Sequence, residues 1–532
     1  MTGTAQLIRL ILRRDRVLLP LWVVVLALVP SGYASSFKGL FPSEAELDTY
    51  ARVSAGNAGF VALYGPLHGS SLGEIVAWRA GFLPVIIALF SILTVIRHTR
   101  ADEEAGRTEL IGAAVVSRHA GLAAALITTL AANVVLALLL VAGMLAQGLP
   151  GSGSVLLGAE FALAGWVFAA VAGVAAQLSG SARTTRSIAM TVLGVAFVLR
   201  LAGDVSALGD GPLSWLSWLS PIGWVQHLFP YGGEVWWPIG LAVVFTALLV
   251  WGSVVLAARR DVGQGLLPAR PGPATAAAGL RSPLALAWRL QRGLLLGWVV
   301  GFAALGLIFG AVAQSVADLA GENSNLNEIF ARLGGASGIV DNYLAGVIGI
   351  LGLIAAAYAV QATLRLRDEE TTGHTEMVLT TGVGRLRWLA GHLLFALLGP
   401  AAALVVGGVV CGLAYGLIAG DVGGKVPAVL GGAVAQLPAV WVLAGIAVLL
   451  FGVVPRLASI AWSALAVCLL VLFVGAALQL SQWVLDVSPF THIPHLPGGE
   501  ATATPFVTLT VIAVLLGAVG LAGFRRRDVP TA

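Results

Sequence analysis

The sequence predicts an all-α integral membrane protein of about twelve transmembrane helices, built as two parallel six-helix repeats with both termini cytoplasmic. Three observations predict it. The first is composition: the 532 residues are 58% hydrophobic and 11% charged, with a mean hydropathy of +0.93, far more apolar than a soluble domain. The second is that apolar runs of spanning length, roughly 20 residues, recur along the whole chain. The third is that landmarks of the first half return in the second.

Taken in order, the spans of the first half are expected near 17–36, 74–97, 119–148, 154–178, 187–207 and 238–258. Those of the second half are expected near 290–313, 341–364, 388–419, 426–454, 457–480 and 504–524. The Arg13, Arg14 and Arg16 cluster before the first run looks like the start of a signal peptide. The run that follows is too long for a signal core, so it is read as an uncleaved first span.

The 30 basic residues include only two lysines, Lys38 and Lys425. With the N-terminus inside, 24 of the 30 fall in loops or span ends on the cytoplasmic side, and the exceptions are Lys38, Arg52, Arg79, Arg200, Arg332 and Lys425. This bias orients the chain and explains the net charge of +4 without any nucleic-acid partner. Cys411 and Cys468 lie in apolar runs and read as small buried hydrophobes, with neither a disulfide framework nor a metal site indicated.

Gly106-Arg107-Thr108-Glu109 recurs as Gly373-His374-Thr375-Glu376, an offset of 267 residues from 106 to 373, with Arg118 and Arg385 at equal distance beyond. Ser220-Pro221 and His227 recur as Ser488-Pro489 and His495, and Arg259-Arg260-Asp261 recurs as Arg526-Arg527-Asp528. Such repetition marks an internal duplication. Because each copy starts and ends inside, the copies are parallel, related by an axis along the membrane normal. Residues 1–261 and 286–532 are therefore the two repeats. Residues 262–285, rich in Pro and Ala, form a cytoplasmic linker.

No phosphate loop, zinc-hydrolase, redox or nucleophile-elbow motif is present, so the chain is not expected to be an enzyme or to hydrolyse ATP alone. The most informative segment is the acidic stretch after the second span of each half, Asp102-Glu103-Glu104 and Asp368-Glu369-Glu370, which runs against the surrounding Arg excess. A Gly hinge and a short amphipathic stretch follow it, an arrangement suited to docking another protein.

These segments resemble the loop of ABC-2 type permeases, which reads approximately E-x-x-x-G-T-x-E before a short coupling helix and a basic residue. The matching residues here are Glu103, Gly106, Thr108, Glu109 and Arg118, then Glu369, Gly373, Thr375, Glu376 and Arg385, with Glu104 and Glu370 in the same acidic clusters. Arg107 and His374, between Gly and Thr, depart from the pattern, and the second copy is one residue longer. The two-in-one chain is similar to actinobacterial fused permeases of the polyketide-antibiotic-exporter kind. The resemblance covers nearly the whole chain and implies a type V exporter-like fold in the bacterial plasma membrane. It also implies two copies of a separate ABC ATPase subunit, which carry ATP and magnesium while this chain binds no cofactor. The cargo would be amphipathic: antibiotics, drugs or lipids.

Charges inside spans are functional candidates by default. Glu160, in the fourth span, could sense protons or hold a cationic substrate, or instead have a structural partner or sit at a water-facing rim; it is the residue that the rival reading, a proton-coupled secondary multidrug exporter, would need. Arg200 and Asp204 are four apart, a helical pairing distance. Arg79 beside Trp78 is expected to snorkel, and with Arg200 it could alternatively line an exit pathway. His227 and His495 lie in outer loops and could titrate near neutral pH. Trp215, Trp218, Trp224, Trp236 and Trp237 read as interfacial anchors. Gly408, Gly412, Gly416 and Gly420 give the ninth span a smooth packing face.

Overall fold

The computed structural model describes residues 2–112, 115–209, 211–267, 274–277, 279–322, 335–474, 482–499 and 501–528. Part of the expected linker (residues 268–273 and 278), Arg270, Arg332, and residues 475–480 of the eleventh expected span lie outside them. Among the described residues there are helices and no strands, and eleven helices are long and apolar enough to cross a membrane. A shorter apolar helix, Pro455–Val471, stands where the remaining span is expected. The chain is thus an all-α, multi-pass membrane protein. It divides into two compact units, Met1–Gly272 and Pro273–Ala532.

In the first unit, α1 (Thr4–Arg14) precedes the first span, α2 (Leu18–Leu40). The long first outer loop folds into α3 (Glu44–Ala55) and α4 (Ala58–Tyr64), started by a Ser43/Glu46 capping box and by the Asn57 side chain. The second span departs from the sequence expectation. Instead of one helix over 74–97 there are two, α5 (Leu72–Arg79) and α6 (Leu83–Arg97). The break has two local causes. Pro84 sits in the first turn of α6. Gly81 lies so close to α4 that a β-carbon there would stand 2.1 Å from the Tyr64 carbonyl oxygen.

Short α7 (Arg100–Glu104) and α8 (Arg107–Gly112) follow, then α9 (Ala120–Ala146), α10 (Gly151–Leu178), α11 (Ala182–Ala207), α12 (Pro221–Gln226) and α13 (Trp237–Ala258). Helix α10 is the centre of this unit: 72% of its most apolar window is buried, against 17% for α13 at the periphery. It contacts α6, α9, α11 and α13, and the first core gathers Leu156, Leu163, Val167 and Phe168 of α10 with Ile92 and Val95 of α6. A charge on α10 is therefore held in the least hydrated part of the unit.

The second unit comprises α14 (Pro283–Glu322), α15 (Gly335–Thr371), α16 (His374–Leu379), α17 (Arg385–Ala419), α18 (Val422–Ala435), α19 (Leu437–Val453), α20 (Ala461–Val474), α21 (Gln482–Leu485) and α22 (Ala503–Arg526). Its second span, α15, is continuous where its counterpart is broken. The glycine stripe of α17 packs as expected. β-Carbons built on Gly412 and Gly416 would lie 2.8 Å from the Cα atoms of Val426 and Val422 on α18. Gly420 instead ends the helix in a left-handed conformation, φ 71°. Cys411 and Cys468 are free and buried.

Candidate functional site: two cytoplasmic hinges and an outer charged cluster

In each unit the chain leaving the second span turns at a glycine in the left-handed region, Gly106 (φ 70°) and Gly373 (φ 75°), and forms a six-residue helix, α8 or α16. The acidic stretch before the hinge is bound internally. Glu103 accepts both terminal nitrogens of Arg260, at 2.6 and 2.9 Å, and Glu370 accepts both of Arg527, at 2.5 and 2.8 Å. The two partners are 157 residues apart in both units.

The basic residue beyond each short helix closes the same knot. Arg118 donates to the Arg260 carbonyl, and Arg385 to the Arg527 carbonyl at 2.9 Å. Each hinge is thereby tied to the C-terminal end of the last span of its unit, α13 or α22, through a fork-on-fork pair that fixes direction as well as charge. The carboxylates are nearly dry, with side chains 7% exposed for Glu103 and 1% for Glu370.

Further bonds distinguish the units. Glu103 also pairs with Arg100 at 3.1 Å and accepts from the Gly263 amide. Glu104 accepts the Ala182 amide at 2.9 Å, tying α7 to the N-terminus of α11, where a carboxylate is favoured. Asp102 pairs with Arg14 of α1 and with Arg107. In the second unit, Glu369 binds Arg365 at 2.6 Å and His374 at 3.3 Å, within its own hinge, and Arg367 adds to Glu370 at 3.7 Å.

The outward face of the short helices is what remains for a partner. Thr108 is half-buried and Thr375 buried; Glu109 is exposed and Glu376 half-buried. Leu110 and Met377, at matching positions of the repeat, are 79% and 61% exposed. A cavity of about 690 Å³ lies beside α8, lined by Leu7, Leu10 and Ile11 of α1 together with Thr108, Glu109 and Arg118.

At the opposite end of the first unit are the charges singled out inside spans. Arg200 and Asp204 pair at 3.4 Å, and Arg200 also donates to the Val61, Ala62 and Leu63 carbonyls in the last turn of α4. A buried guanidinium thus satisfies a helix C-terminus. The Arg79 guanidinium lies 4.7 Å from the Tyr64 ring centre and 5.8 Å from that of Phe60. Glu160 is 3% exposed and lines a cavity with Tyr64, His68, Glu74, Trp78 and Gln226. Among the tryptophans of the outer loop, Trp215, Trp218, Trp236 and Trp237 are exposed. His227 stacks on Trp218 at 4.3 Å.

Sequence reasoning singled out the carboxylates but not their partners. Arg260 and Arg527 stood only as repeat landmarks, although their equal distance from Glu103 and Glu370 was readable. Gln226 and Glu74 carried no signal of their own.

A family model described as the multidrug efflux system permease Rv1217c, C-terminal domain, matches residues 5–256 and 280–525. The chain belongs to this multidrug efflux permease family. The Mycobacterium tuberculosis multidrug efflux system permease protein Rv1217c is 45% identical over 529 residues, covering 99% of this chain and 95% of the relative. The matched stretches contain both hinges, while their arginine partners Arg260 and Arg527 lie just past the ends of the matched segments. As a member of this permease family, the chain is a transporter component and not an enzyme.

Proposed function

We propose that this chain is the membrane-spanning subunit of an ABC exporter of the ABC-2 type, moving amphipathic antibiotics, drugs or lipids out across a bacterial plasma membrane. Two copies of a separate ATPase subunit, carrying ATP and magnesium, dock on α8 and α16. The observation that carries this reading is the duplicated hinge: a left-handed glycine, a six-residue helix with an exposed apolar residue, and a carboxylate–arginine fork back to the last span. A push on α8 passes through Glu103 to Arg260 at the end of α13 and through Glu104 to the start of α11. A push on α16 passes through Glu370 to Arg527 at the end of α22. Each fork is bidentate and buried, so pulling it apart would leave an uncompensated buried charge.

A proton-coupled secondary exporter is the rival reading, and it rests on Glu160 alone, leaving two matched hinges without a task. Affinity purification of the tagged chain from its native host, followed by transport in inverted vesicles, separates them. Co-purification of an ATPase and ATP-dependent uptake support the exporter. Uptake that follows a proton gradient without ATP, with no ATPase recovered, overturns it.

A further inference from the structure

The cavity around Glu160 has no role in the hinge mechanism. It lies in the outer part of the first unit, has a volume of about 50 Å³, and is lined by two carboxylates, Glu160 and Glu74, with Tyr64, Trp78 and Phe229 as aromatic walls. That is room for a few water-sized groups, enough for the head of a ligand and not its body. Glu160 is 3% exposed and makes no hydrogen bond or ion pair among the described residues. A second acceptor is also unused: the Gln226 Oε1, buried without a donor, belongs to a side chain whose amide nitrogen is committed to the Gly81 and Tyr64 carbonyls.

The positive charges nearby make their direct contacts elsewhere, and Arg200 acts on Glu160 only through space. Arg200 is held by three carbonyls and by Asp204, Arg79 lies on the Tyr64 ring, and neither lines the cavity. Burial, with His227 as a smaller cause, holds the His68 imidazole below its usual range, so it adds no positive charge at neutral pH. A buried carboxylate without a partner is costly. Paired acceptors inside aromatic walls are what an ammonium group satisfies, through N–H donors and cation–π contact.

We propose that this cavity binds the protonated amine head of an organic cation, with Glu160 and Gln226 as acceptors and Glu74 as the second carboxyl group. The site belongs to the first unit only, since the offset of 267 residues places Pro427 opposite Glu160. The inference rests on the efflux reading only in taking the amine to be that of a transported compound.

The test is equilibrium dialysis of radiolabelled 2-phenylethylammonium against the full chain in detergent, with no ATPase present. Failure here therefore leaves ATPase docking untouched, and failure of docking leaves this binding untouched. The expected result is saturable binding at one site per chain, without competition from neutral 2-phenylethanol. Glu160→Gln, nearly the same in shape, should weaken affinity roughly 10- to 100-fold. Glu74→Gln, which retains its helix-capping bond, should weaken it several-fold and keeps the proposal testable should Glu160→Gln not fold. Absence of saturable binding, equal competition by 2-phenylethanol, or unchanged affinity in a folded Glu160→Gln or in Glu74→Gln overturns the proposal.

Discussion

The Glu103 and Glu370 side chains are 7% and 1% exposed, and each has a guanidinium buried with it. Removing one member strands the other. Glu370→Ala should therefore lower the stability of the second unit by about 3–5 kcal/mol, read as a drop in the unfolding midpoint of the purified chain. The exchange Glu370→Arg with Arg527→Glu should recover part of it. His68 gives a pH-dependent counterpart. Its imidazole titrates below 6.5 in the folded chain because burial disfavours the cation, so the unfolded chain binds the proton more readily. The contribution is complete above that pH and shrinks as pH falls below it. Hydrogen-exchange protection factors in α4 and α5, corrected for the intrinsic pH dependence of exchange, should fall on acidification, and His68→Gln should remove that fall.

Two elements decide how the spans pack. On α17 the glycines at 412 and 416 bring its backbone against α18, where a side chain would meet backbone atoms and not a flexible tip. Gly412→Leu should cost about 1–3 kcal/mol through overpacking and broaden the size-exclusion profile. Gly431→Ala, with open space around it, should change neither. The break between α5 and α6 is the other such element. It lets α4 approach Gly81, presents the α4 carbonyls to Arg200, and opens the space that Glu160 lines. An unbroken second span, as in α15, would have no such chamber.

For the whole molecule, the duplicated hinges and the unduplicated charge cluster carry different expectations. Docking should depend on both short helices. Glu109→Lys with Glu376→Lys, or Leu110→Asp with Met377→Asp, should abolish ATPase co-purification while the chain itself remains folded, because these side chains face outward or sit at the hinge rim. Retention of the ATPase by both double variants would remove the short helices from the interface. The residues opposite Glu160, Arg200 and Asp204 in the second half are Pro427, Val467 and Val471 at the same offset of 267. The two halves are alike where they would meet the ATPase and unlike on the outer side.

Residue pattern by itself pointed to a lipid solvent and an all-α chain of about twelve spans, and it suggested the orientation and the duplication. Each of these rests on local apolar length, charge bias or recurrence, and needs no knowledge of contacts. The hinge glycines and acidic clusters were legible for the same reason. Only the tertiary structure decided what those acids do, since Glu103 meets Arg260 and Glu370 meets Arg527 across 157 residues and four intervening spans' worth of chain. The same holds inside the outer cluster. Arg200, Asp204, Arg79 and Glu160 read alike as charges in apolar helices, yet three of them find direct partners on α4 or on their own helix, and Glu160 makes no hydrogen bond or ion pair among the described residues. Whether a buried charge is structural or available is set by which carbonyls and rings packing brings within hydrogen-bond distance, and that is a property of the fold.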